Sequence, residues 1–265
     1  MLFLDSGFLF WVASEFRLCV FVLLVYSYYG NKFKEEVIYY FIVSSVAGIA
    51  LLYRFFIVEE TIYLTIFLKL GIFPFHTWVV PVTQFIPTRI FFIILTLNKL
   101  PFLAVASLYT PIIYVVCLSL LIGIISAISN HNYKSILARL SIRGRSVFLI
   151  ASTVKVILLY FSSYTLSLFI LLISKIDKRS KFYSVIMVLS LIGFPPFFIF
   201  APKILLLISL FSHSIGLFLL VSFYYTLSLL PYIKLLPPIP LTPSINHIYF
   251  FGATTVFTLF ILTTY

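Results

Sequence analysis

The chain reads as a succession of apolar runs, most about as long as a bilayer-spanning helix, separated by short clusters of charged, polar or proline residues. The runs predict helices over 7–29, 37–58, 60–76, 87–109 and 111–129 in the first half, and over 134–151, 153–174, 183–209, 214–232 and 246–264 in the second. Connections such as 31–36, 59–60 and 175–181 are too short for structure of their own, and only 237–244 reads as an extended, Pro-rich linker. The expectation is therefore one all-α domain over 1–265, a polytopic transmembrane helix bundle of about ten spans.

Composition removes the alternative of a soluble fold. Of 265 residues, 63% are hydrophobic, 19% aromatic and only 9% charged, with a mean hydropathy of +1.19, which leaves too few polar groups to cover a water-facing surface. Charge then reports topology. Eighteen Lys and Arg against seven Asp and Glu give a formal +11. The odd-numbered connections collect Lys32, Lys34, Lys134, Lys175, Lys178, Arg179, Lys181 and Lys234; the even side has Arg54 and Lys155, with Glu59 and Glu60 beside Arg54. The positive-inside rule places the odd side inside and both termini outside, which requires an even number of spans. No basic run is long enough to track a phosphate backbone, so nucleic acid is not an expected partner. Cys19 and Cys117 lie in apolar stretches and predict no disulfide. Met1 to Gly7 has neither the basic start of a signal peptide nor the Arg-rich face of a transit peptide, so the first helix is expected to be retained.

Three lysines belong to no connection: Lys69, Lys99 and Lys203 all sit inside apolar sequence. A lysine at the centre of a span costs about 2.5–3.5 kcal/mol on insertion scales, so such residues face a bundle interior or a hydrated cavity unless they lie near an end and snorkel to the headgroups. Their neighbours favour the interior. Pro74 follows Lys69, Pro101 follows Lys99, and Pro195, Pro196 and Pro202 precede Lys203. Pro74 deprives the Leu70 carbonyl of its helical partner, and Pro195 and Pro196 do the same to Leu191 and Ile192, with Gly71 and Gly193 adding freedom nearby. In lipid those carbonyls need protein or water partners, so a broken helix carrying a lysine marks a polar path. The stretches around Lys69 and Lys203 are 134 residues apart, close to five helix-plus-turn units, the pattern of an inverted repeat with broken helices.

Glu15 and Arg17 fall in the first helix, two residues apart and so not facing each other; Lys69 is the candidate partner of Glu15. Arg139, Arg143 and Arg145 near the inner end of the sixth run predict an interfacial face or a lipid-headgroup site, which makes phospholipids, cardiolipin among them, expected partners. His76 fits a structural histidine or a proton carrier equally. The sequence has no Gly-rich phosphate loop, no haem-spaced histidines in the spans, no Cys cluster and no N-x-Ser/Thr sequon, so no redox cofactor is expected in this chain.

Leu68-Lys-Leu-Gly-Ile-Phe-Pro-Phe-His-Thr-Trp78 with Val82-Thr-Gln84, then Lys99-Leu-Pro101, then Leu189-Ser-Leu-Ile-Gly-Phe-Pro-Pro196 with Pro202-Lys203, resembles the mitochondrial NADH–ubiquinone oxidoreductase chain 2 family, antiporter-like subunits in the membrane arm of respiratory complex I. Order and spacing hold from about Gly7 to the C-terminus. The resemblance implies a proton-translocating subunit of two inverted five-helix repeats, in which Glu15 pairs with Lys69, Lys99 is the central relay and Lys203 sits on the second broken helix. It implies the mitochondrial inner membrane with the basic loops in the matrix, other membrane-arm subunits as partners, and NADH, FMN, iron–sulfur clusters and ubiquinone only in other subunits. The chain departs from the family pattern in three places. Fourteen residues precede Glu15, one N-terminal span fewer than most members carry; Val80-Pro81 stands where Pro-Glu is usual; and Arg139, Leu140, Ser141 and Gly144 stand where a Tyr-Ser-Ser stretch and a following His are usual. A subunit of a cation/proton antiporter and a purely structural membrane scaffold are the competing expectations. An amine in water, with a pKa of about 10.4, keeps its proton at any working pH; desolvation lowers that value and a nearby carboxylate raises it, which is how a buried lysine becomes a switch.

Overall fold

The structure, a computed structural model, describes residues 7–56, 61–106, 113–130, 132–150, 154–176, 181–195, 197 and 199–236. The expected helix over 246–264, the linker over 237–244, Glu59, Glu60, Lys178, Arg179 and Pro196 lie outside the described residues.

Every regular element among the described residues is helical. α1 (Gly7–Tyr29) and α2 (Lys34–Phe56) are joined by one 3-10 turn, opened by Gly30 at φ +57°. Of the expected runs, 60–76 ends early at Leu70 with an unexpected short helix beyond it, while 87–109 and 183–209 are each divided in two. They give α3 (Thr61–Leu70) and α4 (Val79–Phe85), α5 (Thr88–Leu95) and α6 (Leu100–Ala106), and, after α7 (Ile113–Ile128), α8 (Tyr133–Ile150) and α9 (Val154–Ile176), the pair α10 (Lys181–Ile192) and α11 (Phe200–His213). The last described run is α12 (Ile215–Leu227) followed by the short α13 (Leu229–Ile233).

Two of the breaks share one construction. At the end of α3, Gly71 adopts φ +63°; its N–H donates to the Leu68 carbonyl (3.2 Å) and the Ile72 N–H donates to Phe67 (3.0 Å). At the end of α10, Gly193 adopts φ +79°; its N–H donates to Ser190 (2.9 Å) and the Phe194 N–H to Leu189 (3.2 Å). Both are Schellman ends, which need a left-handed residue that glycine alone adopts without steric cost, and Pro74 and Pro195 then prevent the helix from resuming at once. The α5–α6 break is built differently. Thr96 turns its hydroxyl back to the Phe92 carbonyl (2.7 Å), the Asn98 N–H reaches Ile93 (3.1 Å), and Pro101 sits in the first turn of α6, where its missing N–H is harmless.

The helices enclose one continuous apolar core, with Leu70, Phe91, Leu120, Ile142, Leu168, Met187 and Leu206 almost fully buried. The outer faces carry large apolar side chains, including Phe16, Leu23, Ile49, Phe169, Phe211 and Phe223, as a lipid-facing surface requires. Among the described residues, four helical stretches are individually long and apolar enough to cross a membrane: Leu9–Tyr29, Lys34–Leu52, Lys155–Ile173 and Ile215–Ile233. Between helices, hydroxyl pairs replace the hydrophobic drive that lipid removes. Ser119 bonds Ser146 (2.6 Å) across α7 and α8, and Ser167 pairs with Ser190 (2.8 Å) across α9 and α10; such contacts are worth about 0.6 kcal/mol each on average.

Candidate functional site

The carbonyls freed at the breaks are taken by cations arriving from other parts of the chain. The Leu70 carbonyl, orphaned by Pro74, accepts from the guanidinium of Arg145 on α8, and the indole of Trp78 donates to Leu68 (3.2 Å). The Leu97 and Asn98 carbonyls, in the α5–α6 break, accept from Arg17 on α1 at 3.3 and 3.0 Å. The Leu191 and Ile192 carbonyls accept from the ammonium of Lys203, which reaches back from the first turn of α11; the Leu191 bond is 3.3 Å long. A cation at a helix C-terminus satisfies both the lone pairs and the negative end of the helix dipole, and here it does so in a low-dielectric interior.

Glu15 meets Lys69. Nζ of Lys69, on the last turn of α3, lies 3.2 Å from Oε1 of Glu15 on α1, with the two side chains only 7% and 22% exposed. Gly48 on α2 makes the room: a methyl group there would overlap the Glu15 carboxylate. The Phe102 ring completes the pocket, its centroid 5.3 Å from Lys69 Nζ and 5.7 Å from the Arg17 guanidinium. Glu15 is the one carboxylate among the described residues outside the first turn of α2, where Glu35 and Glu36 lie.

Lys99 is 2% exposed, and its Nζ has no hydrogen-bond partner among the described residues. It lies between two cavities of about 20 Å³ each, room for a single water. One is lined by Ser14, Arg17, Tyr40, Lys69 and Asn98, whose amide donates to the Tyr40 hydroxyl (2.9 Å). The other is lined by Arg143, Arg145, Tyr160, Tyr164 and Tyr232. Beyond Arg143, the Tyr225 ring carries that guanidinium at 4.6 Å from its centroid and Lys203 at 5.0 Å. Glu15 and Lys69 thus meet directly, Lys99 shares a cavity with Lys69, and Lys203 joins the line through Tyr225 and Arg143. His76 stacks on Phe73 within the α3–α4 break, 6.1 Å between ring centroids.

One expectation is corrected. Arg143 and Arg145 do not form an interfacial or lipid-headgroup face; both are 3% exposed, inside the bundle. Arg139 alone of the three is half-buried, bonded to the Ser126 carbonyl near the end of α7. The reason is that α8 is packed on several sides, against α4, α6 and α7, and Gly123 lets α7 approach so closely that a Cβ there would stand 3.2 Å from the Arg139 carbonyl oxygen. The signal that could have found Arg145 is the Leu70 carbonyl itself, which needed a donor. Arg145→Leu is expected to lower stability by about 1–3 kcal/mol through that uncapped carbonyl, read as a lower unfolding midpoint, whereas Arg139→Leu has a smaller effect.

Fold and site together define a helical membrane protein that holds ammonium and guanidinium groups beside interrupted helices in its interior, with one paired carboxylate among the described residues. Against known proteins, no family model matches. The chain is similar to NADH-ubiquinone oxidoreductase chain 2 of Artemia franciscana, 25% identical over 248 residues that cover 83% of this chain and 81% of that protein. It is similar to the same-named protein of Rhipicephalus sanguineus, 23% identical over 261 residues covering 89% and 83%. Its fold matches a chain of respiratory complex I from Thermus thermophilus with bound aureothin, with a TM-score of 0.73 and 18% identity, over 97% of this chain and 72% of that one. These likenesses agree with the resemblance carried by the segments around Lys69, Lys99 and Lys203.

Proposed function

We propose that this chain is a proton-translocating membrane-arm subunit of NADH:ubiquinone oxidoreductase, residing in the mitochondrial inner membrane with its basic connections toward the matrix. In this reading it comprises about ten spans arranged as inverted five-helix repeats, holds no redox centre of its own, and works beside other membrane-arm subunits while NADH, flavin, iron–sulfur clusters and ubiquinone act elsewhere in the assembly. The named relatives and the complex I fold neighbour support membership of that assembly. The observation that supports translocation is the 3.2 Å ion pair of Glu15 and Lys69 beside the unpartnered ammonium of Lys99.

Moving the carboxylate toward or away from Lys69 loads or releases a proton, and a single water in the cavity that both lysines line bridges Lys69 to Lys99. From Lys99 the line toward Lys203 runs by way of Arg143, which lines the same cavity as Lys99, and the Tyr225 ring that Arg143 and Lys203 share. Electron transfer to quinone at a distance drives the switch by changing the separation of the Glu15–Lys69 pair. Purification of the tagged chain from its membrane tests the assignment. Co-purification with a peripheral arm holding flavin and iron–sulfur clusters is the expected result. Sodium-dependent transport by the isolated protein, without NADH oxidation, would instead make it a cation/proton antiporter subunit.

A further inference from the structure

The cavity beyond Lys99 gathers positive charge. Lys99, Arg143 and Arg145 are 2%, 3% and 3% exposed and all line it, and no carboxylate is found among its described lining residues. Four buried donor atoms there lack a hydrogen-bond partner: Nζ of Lys99, Nε and Nη2 of Arg143, and Nε of Arg145. The partners the arginines do have are neutral. Arg145 donates to the Leu70 carbonyl and the Ser141 hydroxyl, and Arg143 faces the Tyr225 ring.

A buried lysine can escape this situation by losing its proton; a guanidinium cannot, because it stays charged at every accessible pH. Two guanidiniums lining one cavity in low dielectric, with no carboxylate among its described lining residues, are costly, and the cost is relieved only by a counter-charge. Tyr164 and Tyr232 line the same cavity, and a tyrosine hydroxyl is a further donor suited to an anion. At about 20 Å³ the space is the size of one water, too small for a phosphate or a lipid headgroup.

We propose that this cavity is a binding site for a single monatomic halide ion, held by Lys99, Arg143 and Arg145. The ion keeps the arginines compensated and provides a fixed negative charge beside Lys99. The inference concerns these residues alone and stands whether or not the chain translocates protons.

The test is to purify and crystallise the protein, with whatever assembles on it, in bromide in place of chloride, and to collect diffraction at the bromine absorption edge. The expected result is one anomalous peak in the cavity lined by Lys99, Arg143 and Arg145, lost in Arg143→Gln. A cavity that shows only ordered water, bromide found only on the surface, or a peak that persists in Arg143→Gln plus Arg145→Gln would each overturn the proposal. The unsubstituted protein alone is decisive if the variants fail to fold.

Discussion

Glu15→Gln is expected to abolish translocation by this subunit and to reduce the amount of assembled protein. The amide keeps the shape of the carboxylate, so the space left by Gly48 still fits it, but Lys69 loses the only carboxylate within ion-pair distance among the described residues. Removing one partner of a buried pair costs about 3–5 kcal/mol, because the remaining charge is uncompensated. The 22% exposure of the Glu15 side chain, against 7% for Lys69, places the expected loss toward the lower end of that range. Pairing the change with Lys69→Met separates structure from transport. The double variant removes the orphaned charge, so its stability is expected to recover toward that of the unsubstituted protein while translocation stays lost. Denaturation midpoints and proton uptake into proteoliposomes measure the two effects. Normal translocation by Glu15→Gln would contradict a switch built on this pair.

The second large effect is expected from a residue with no side chain. Gly193 holds φ +79° at the end of α10, and a Cβ there would stand within 3 Å of Lys203 Nζ and Cε. Gly193→Ala therefore combines left-handed strain, about 1–3 kcal/mol, with displacement of the ammonium that caps Leu191 and Ile192. Gly216→Ala is the matched control: it lies in the first turn of α12 with nothing within 4 Å of an added Cβ, and is expected to be neutral or slightly stabilising. Equal unfolding midpoints for the two variants would show that Lys203 is not held at the break.

How much of this was legible beforehand follows from which signals are local. Gly and Pro inside apolar runs are local, so the breaks beside Lys69 and Lys203 and the need of the Leu70, Leu191 and Ile192 carbonyls for partners could be read from the chain. The Glu15–Lys69 pairing was legible because carboxylates at membrane depth are so scarce that little else could answer Glu15. The α5–α6 break was not, since it turns on Thr96 and on Arg17 arriving from α1 rather than on a proline before it. Nor was the depth of Arg143 and Arg145. Charge on a helix normally marks its solvated face, and only tertiary packing on several sides of α8 turns these side chains inward. That Lys203 serves as the cap of its own broken helix was likewise hidden, because sequence shows the orphaned carbonyl and the cation without showing that they meet.

The residue on which a proton path depends most is Lys99, since it separates the Lys69 cavity from the tyrosine-lined one. Lys99→Met keeps the length and burial of the side chain and removes its ability to carry a proton. The decisive measurement is the ratio of protons translocated to electrons transferred in the assembled Lys99→Met complex, reconstituted in vesicles. A lower ratio at normal assembly and continuing NADH oxidation is the expected outcome. An unchanged ratio in a normally assembled complex would contradict a path through this amine.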